Sequence, residues 1–154
     1  MNIKQILVIV IMSLFAVTTV PAYDTELADS YAQLFQPFTG KASAKSMQMI
    51  KVPDFVKAIK SGKKLVVLDV RTPGERVIMG TNLPDTLNIP MGQVFKPENL
   101  QRLPDNKKIV VLCAKGSRAS VIALTLRHIG FKQVFILKGG LAALAQYLNP
   151  KSAN

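Results

Sequence analysis

The apolar run Ile109-Val110-Val111-Leu112, bounded by Lys107-Lys108, ends on the chain's only cysteine, and this stretch restricts the fold most tightly. Four β-favouring apolar residues read as a buried strand. From Ala119 to Ile129, Val121, Ile122, Leu124, Leu126 and Ile129 predict a helix that is apolar around most of its girth and closed by Gly130. Cys113 therefore stands where a strand gives way to a helix. In a parallel α/β sheet that is the edge at which ligands bind, and the free N–H groups and partial positive charge of the helix favour an anion there. A thiol in that place ionises readily.

A free cysteine after an apolar strand is often only a small buried hydrophobe. The following residues, Ala114-Lys115-Gly116-Ser117-Arg118, argue for more. Gly116 permits backbone angles that turn successive N–H groups towards one point, while Lys115 and Arg118 add fixed positive charge. A structural thiol needs none of these. The sole histidine, His128, lies at the far end of the same helix, about 15 Å along its axis, where a cation complements the helix C-terminus.

The rest of the chain supplies strands and helices in alternation. Met47 to Ile50 predicts a short first strand, Pro53 to Lys60 a helix with Phe55, Val56 and Ile59 facing inward, and Leu65 to Val70 a buried strand. The exit of that strand places Asp69 and Arg71 on the same sheet edge as Cys113. Their expected roles are structural, Asp69 accepting backbone N–H groups and Arg71 pairing with Glu75. Leu87 to Ile89 is a third strand, Pro97 to Leu103 a short helix, Val134 to Leu137 the last strand and Leu141 to Leu148 the last helix. Such alternation implies a parallel sheet covered on both faces.

At the cysteine loop the sequence resembles the rhodanese family of sulfurtransferases, whose active-site loop runs C-x-x-G-x-[R/S/T] from strand into helix. The resemblance extends to Leu68-Asp69-Val70-Arg71-Thr72-Pro73 with Glu75, to Asn88-Ile89-Pro90 and to Leu137-Lys138-Gly139-Gly140, in the family's order and across roughly residues 47 to 148. It implies a three-layer α/β/α domain with a central parallel sheet of about five strands. It also implies a mechanism: a Cys113 thiolate takes the outer sulfur of a donor such as thiosulfate, releases sulfite, and holds a persulfide until a thiophilic acceptor, such as cyanide or a thiol, removes it. Ala114, Gly116 and Ser117 would supply N–H groups to the anionic sulfur; Lys115 and Arg118 would attract and orient the donor.

The chain departs from the family pattern at Gly80-Thr81-Asn82-Leu83-Pro84-Asp85-Thr86, at Leu144 where a tryptophan is usual, and at Arg76 where an aromatic is usual. Two other functions are alternatives, of which the first fits less well. Cys-based phosphatases use C-x5-R loops, and the spacing from Cys113 to Arg118 is C-x4-R, a tighter ring suited to sulfur. A sulfur-carrier or partner-binding module, handing its persulfide to a protein acceptor, shares every feature of the loop. No zinc pattern occurs, and the chemistry calls for no cofactor.

Residues 1–22 have Lys4 in a short leading region, an apolar stretch from Ile6 to Val20 and the small-residue site Val20-Pro21-Ala22, the pattern of a secretory signal peptide. The stretch is about 15 residues, short of the roughly 20 that a spanning helix needs, so no stable membrane insertion is expected. The mature chain is expected to begin near Tyr23, in the periplasm or secreted. There a lone cysteine is either a liability or the purpose of the protein.

The formal net charge is +11, unevenly spread. Residues 23–40 hold Asp24, Glu26 and Asp29 with no base, whereas all basic residues but Lys4 lie from Lys41 onward. Such a surface draws small anions. Dispersed lysines without an aromatic platform exclude nucleic acid. Leu27, Tyr31, Leu34, Phe35 and Phe38 predict a helical arm capped by Asp24, able to pack on its own domain, pair with another subunit or hold a partner; Lys41 to Ser46 reads as a linker. The expected organisation is thus a signal peptide at 1–22, an acidic arm and linker at 23–46, and one domain at 47–150.

Overall fold

The structure, a computed structural model, describes residues 22–149. All but the last residue of the expected signal peptide lies outside this range. The described residues fall into two units, one up to Gln36 and one from Pro37 onward. In the first, α1 (Thr25–Phe35) begins as expected: the Asp24 side chain accepts the Leu27 N–H at 2.9 Å, satisfying a donor that the first helical turn leaves over.

The second unit opens on a difference. Lys41 to Ser46, expected as a linker, folds into the short helix α2 (Ala42–Ser46), and the Ser46 hydroxyl donates to the Pro37 carbonyl at 3.1 Å. Gln48 follows at φ 51°, a left-handed conformation that breaks extension, so the first strand, β1, is only Met49–Ile50. Next come α3 (Val52–Lys60), β2 (Leu65–Asp69), α4 (Pro73–Ile78), β3 (Thr86–Asn88), a single 3-10 turn at Met91–Gln93, α5 (Pro97–Leu100), β4 (Lys108–Leu112), α6 (Ser117–His128), β5 (Val134–Leu137) and α7 (Gly140–Tyr147). The helix α4 has a sequence signature that reading for periodicity passed over. Thr72 and Glu75 form a reciprocal capping box, with Pro73 in the first turn, where its missing N–H costs nothing.

The five strands form one parallel sheet in the order β1-β5-β4-β2-β3. Because side chains alternate along a strand, β2 and β4 feed two cores. Leu68, Ile109, Val111 and Cys113 face the side covered by Ala119, Ile122, Ala123 and Leu126 of α6. Leu65, Val67, Val110 and Leu112 face the side covered by Val52 and Phe55 of α3 and Leu141 and Leu144 of α7. The result is the expected α/β/α sandwich. Only one side of α6 is buried, however, with Val121 and Ile129 about half exposed. Parallel strands put all their C-terminal ends on one edge, so Asp69, Cys113 and Lys138 emerge together.

Candidate active site

Strand β4, buried from Ile109 on, carries Cys113 to the C-terminal edge, where its side chain is fully covered. Gly116 then turns at φ 103°, a region that side chains rarely enter, and this turn brings its N–H back onto Cys113 Sγ at 3.1 Å. Helix α6 starts at the next residue, so its first N–H groups have no acceptor within the helix and add partial positive charge beside the sulfur. Ala114 is half-buried, whereas Lys115 and Ser117 are exposed at the mouth.

The start of α7 holds the back of the loop. Leu141 N–H donates to the Cys113 carbonyl at 2.8 Å and Ala142 N–H to the Ala114 carbonyl at 3.0 Å. These are donors that a helix N-terminus must place somewhere, and here they engage the loop's own carbonyls. Gly140 makes the approach feasible. A Cβ at that position would collide with the Cys113 carbonyl and lie 2.9 Å from the Ala114 carbonyl oxygen. Residues 139–142 thus belong to the site, and the Gly139-Gly140 pair was their signal in the sequence.

Two ion pairs frame the loop, and they correct two expectations. Arg71 does not pair with Glu75; it is buried against Asp69, its Nη2 2.6 Å from Asp69 Oδ2 and its backbone N–H 3.0 Å from Oδ1. A fully buried carboxylate at position 69 needs the nearest cation, and Arg71 lies two residues away on the same edge. The remaining Arg71 nitrogen, Nη1, donates to the Met79 carbonyl at 2.7 Å and so fixes the chain just after α4. Sequence reasoning gave no sign of Met79.

Glu75 pairs instead with Arg118. Nη1 reaches Oε2 at 2.8 Å and Nη2 reaches Oε1 at 2.5 Å, a two-pronged bond between α4 and the first turn of α6. Glu75 Oε2 also accepts the Thr72 N–H at 2.9 Å and the Thr72 hydroxyl at 3.0 Å. The Arg118 guanidinium, followed by the Thr72 N–H, holds the Glu75 carboxyl far below the usual carboxylate range. In return the Glu75 carboxylate pushes the Arg118 pKa up. Arg118 was expected to attract and orient an anionic donor. It is two-thirds covered and already committed to a carboxylate.

A cavity of about 250 Å³ opens beside the loop, lined by Arg71, Glu75, Ile78, Met79, Ala114, Lys115, Leu141 and Ala142. The structure thus brings Asp69, Arg71, Glu75, Cys113, Ala114, Lys115, Gly116, Ser117 and Arg118 to one edge. His128 ends α6 at its far end. Among the described residues no group of three or more His, Cys, Asp or Glu side chains could hold a metal ion. No helix of the described residues is long and apolar enough to cross a membrane. Chemically, a thiol with an N–H on its sulfur, beside a helix N-terminus and a cationic rim, can act as a nucleophile and hold a second, anionic sulfur.

Comparison with known proteins finds relatives named as sulfurtransferases. The chain is 30% identical over 83 residues to a sulfurtransferase of Allochromatium vinosum, a match covering 54% of this chain and 74% of the relative. It is 31% identical over 90 residues to the "Probable adenylyltransferase/sulfurtransferase MoeZ" of Mycobacterium tuberculosis, covering 58% of this chain but only 22% of that longer protein. A rhodanese-related protein of Thermoplasma volcanium superimposes with a TM-score of 0.56 at 26% identity, over 67% of this chain and 95% of the other. The model of the rhodanese-like domain matches residues 52–147, which include every element from α3 to α7 and the whole loop around Cys113, and the chain belongs to that family.

Proposed function

We propose that the protein is a sulfurtransferase that moves sulfane sulfur through a Cys113 persulfide, from an anionic donor of the thiosulfate type to a thiophilic acceptor such as cyanide, a small thiol or a protein thiol. The observation that carries this reading is the Gly116 N–H on Cys113 Sγ at the strand-to-helix edge. The same donor that meets the thiolate can meet the persulfide, since both are anionic sulfur. Lys115 is the exposed cation at the mouth and draws in the donor. Arg118 and Glu75, locked together, hold the first turn of α6 in place beside the loop. Sulfur-transfer names among the relatives support the same reading.

The test is the intact mass of the purified protein after incubation with thiosulfate. A gain of one sulfur, removed by cyanide with release of thiocyanate, is the expected result. Cys113→Ser should gain no sulfur while keeping the far-ultraviolet circular dichroism of the parent. Sulfur uptake by that variant would overturn the assignment. We further propose, from Lys4, the stretch Ile6 to Val20 and Val20-Pro21-Ala22, that the protein acts outside the cytoplasm with Tyr23 as its first residue. N-terminal sequencing of the protein from fractionated cells decides this, and the full-length chain in the cytoplasmic fraction would refute it.

A further inference from the structure

The charges around the cysteine cancel in pairs. Arg71 is neutralised by Asp69, and Arg118 by Glu75. Lys115 is then the one cation left over among the residues lining the cavity beside the loop. The other walls are apolar: Ile78, Met79, Ala114, Leu141 and Ala142. Inorganic thiosulfate is a small, strongly hydrated dianion. It would meet a single compensating charge and give up water to hydrocarbon, which is unfavourable for an ion.

The space is also larger than such an ion needs. A cavity of about 150 Å³ suffices for a benzene ring, and this one measures about 250 Å³. Met79 and Leu141 also line a second cavity of about 360 Å³, walled further by Leu83, Leu144 and Leu148. Ile78 and Met79 stand at the entrance, 88% and 50% exposed, which is costly for large apolar side chains unless something covers them. Their position is fixed, since Arg71 Nη1 holds the Met79 carbonyl at 2.7 Å.

We infer that the preferred donor is a singly charged sulfane compound with an apolar body, of which an aromatic thiosulfonate, R–SO2–S⁻, is the simplest example. This rests on the sulfurtransferase reading and narrows its substrate. The body lies against Ile78, Met79 and Leu141, and the one negative charge faces Lys115. The Cys113 thiolate attacks the terminal sulfur. As the new S–S bond forms, the bond between that sulfur and the sulfonyl sulfur breaks, and its electron pair leaves with the sulfinate, R–SO2⁻. Cys113 keeps a persulfide with one negative charge. Cyanide then removes the outer sulfur as thiocyanate and restores the thiolate, so charge balances and no outside oxidant or reductant is needed.

The experiment compares benzenethiosulfonate, methanethiosulfonate and thiosulfate as donors, with thiocyanate release under cyanide and the intact mass as readouts. In the parent protein the KM for benzenethiosulfonate should lie about tenfold or more below that for methanethiosulfonate, since each added apolar group that fits is worth at least that much. Ile78→Ser with Met79→Ser, at exposed positions, should close most of this gap while raising the thiosulfate KM far less. Comparing ratios removes the differing intrinsic reactivity of the donors. Equal KM values for the methyl and phenyl compounds in the parent, or a ratio that the double variant leaves unchanged, would overturn the inference while leaving the sulfurtransferase reading intact. Failure of all three donors to place sulfur on Cys113 would overturn both.

Discussion

Asp69 and Arg71 are so far removed from water that each depends on the other for solvation. Removing one leaves an uncompensated charge in the interior, which costs about 3–5 kcal/mol. Asp69→Ala should therefore lower the stability of the domain by that amount in urea titrations. A loss below about 1 kcal/mol would mean that water reaches Arg71. Glu75 contributes in a pH-dependent way. Its carboxyl would take up a proton near its ordinary value of 4.5 in the unfolded chain, but in the folded protein Arg118 and Thr72 hold the proton off to far lower pH. The unfolded state then binds more protons below that point, so stability falls as pH falls. The stability advantage over Glu75→Gln should be complete above about pH 5 and shrink steadily below 4.5. An advantage that stays constant down to pH 3 would rule out the ion pair as its source.

At the scale of elements, α7 matters to the chemistry through its first turn. Gly140→Ala forces a Cβ into the Cys113 carbonyl and strains a backbone at φ 61°. The variant should lose more than about 1 kcal/mol and most of its sulfur uptake, since the loop must shift to relieve the contact; uptake at the parental rate would show that the loop tolerates the displacement. This dependence was only partly legible in the sequence. Strands and the long helix announce themselves by runs and spacings of apolar residues, and Cys113, Lys115 and Gly116 by their place at a strand end. Partners in an ion pair do not. Arg71 was the expected partner of Glu75 because it is close in sequence, whereas the actual partner, Arg118, lies 43 residues away and Arg71 is taken by the buried Asp69. The wall formed by Ile78 and Met79 carries no sequence signal, because exposed apolar residues after a capping box look like the frayed end of a helix. Gly139-Gly140 was conspicuous as a motif, yet its physical use, bringing N–H groups against the carbonyls of a loop 28 positions earlier, became visible only in three dimensions.

For the molecule as a whole, the parallel sheet separates two kinds of positive charge. Lys63, Lys64, Lys107 and Lys108 line a cavity of about 410 Å³ where β2 and β4 begin, at the edge opposite Cys113. Those four lysines thus act on anions only at long range, whereas Lys115 lines the cavity beside Cys113. Lys115→Ala should raise the donor KM about fivefold, the effect of one partly screened charge worth about 1 kcal/mol. Lys63→Ala with Lys107→Ala should change it less than twofold, and the opposite ranking would mean that the basic edge delivers the donor. The clasp formed by Leu141 and Ala142 has a temporal consequence as well. Synthesis runs from the N-terminus, so Cys113 leaves the ribosome well before the residues that lock its loop. During that interval the loop lacks the two N–H groups that hold its carbonyls, and the sulfur chemistry proposed above requires residues 139–142 to arrive and the last layer of the sandwich to dock.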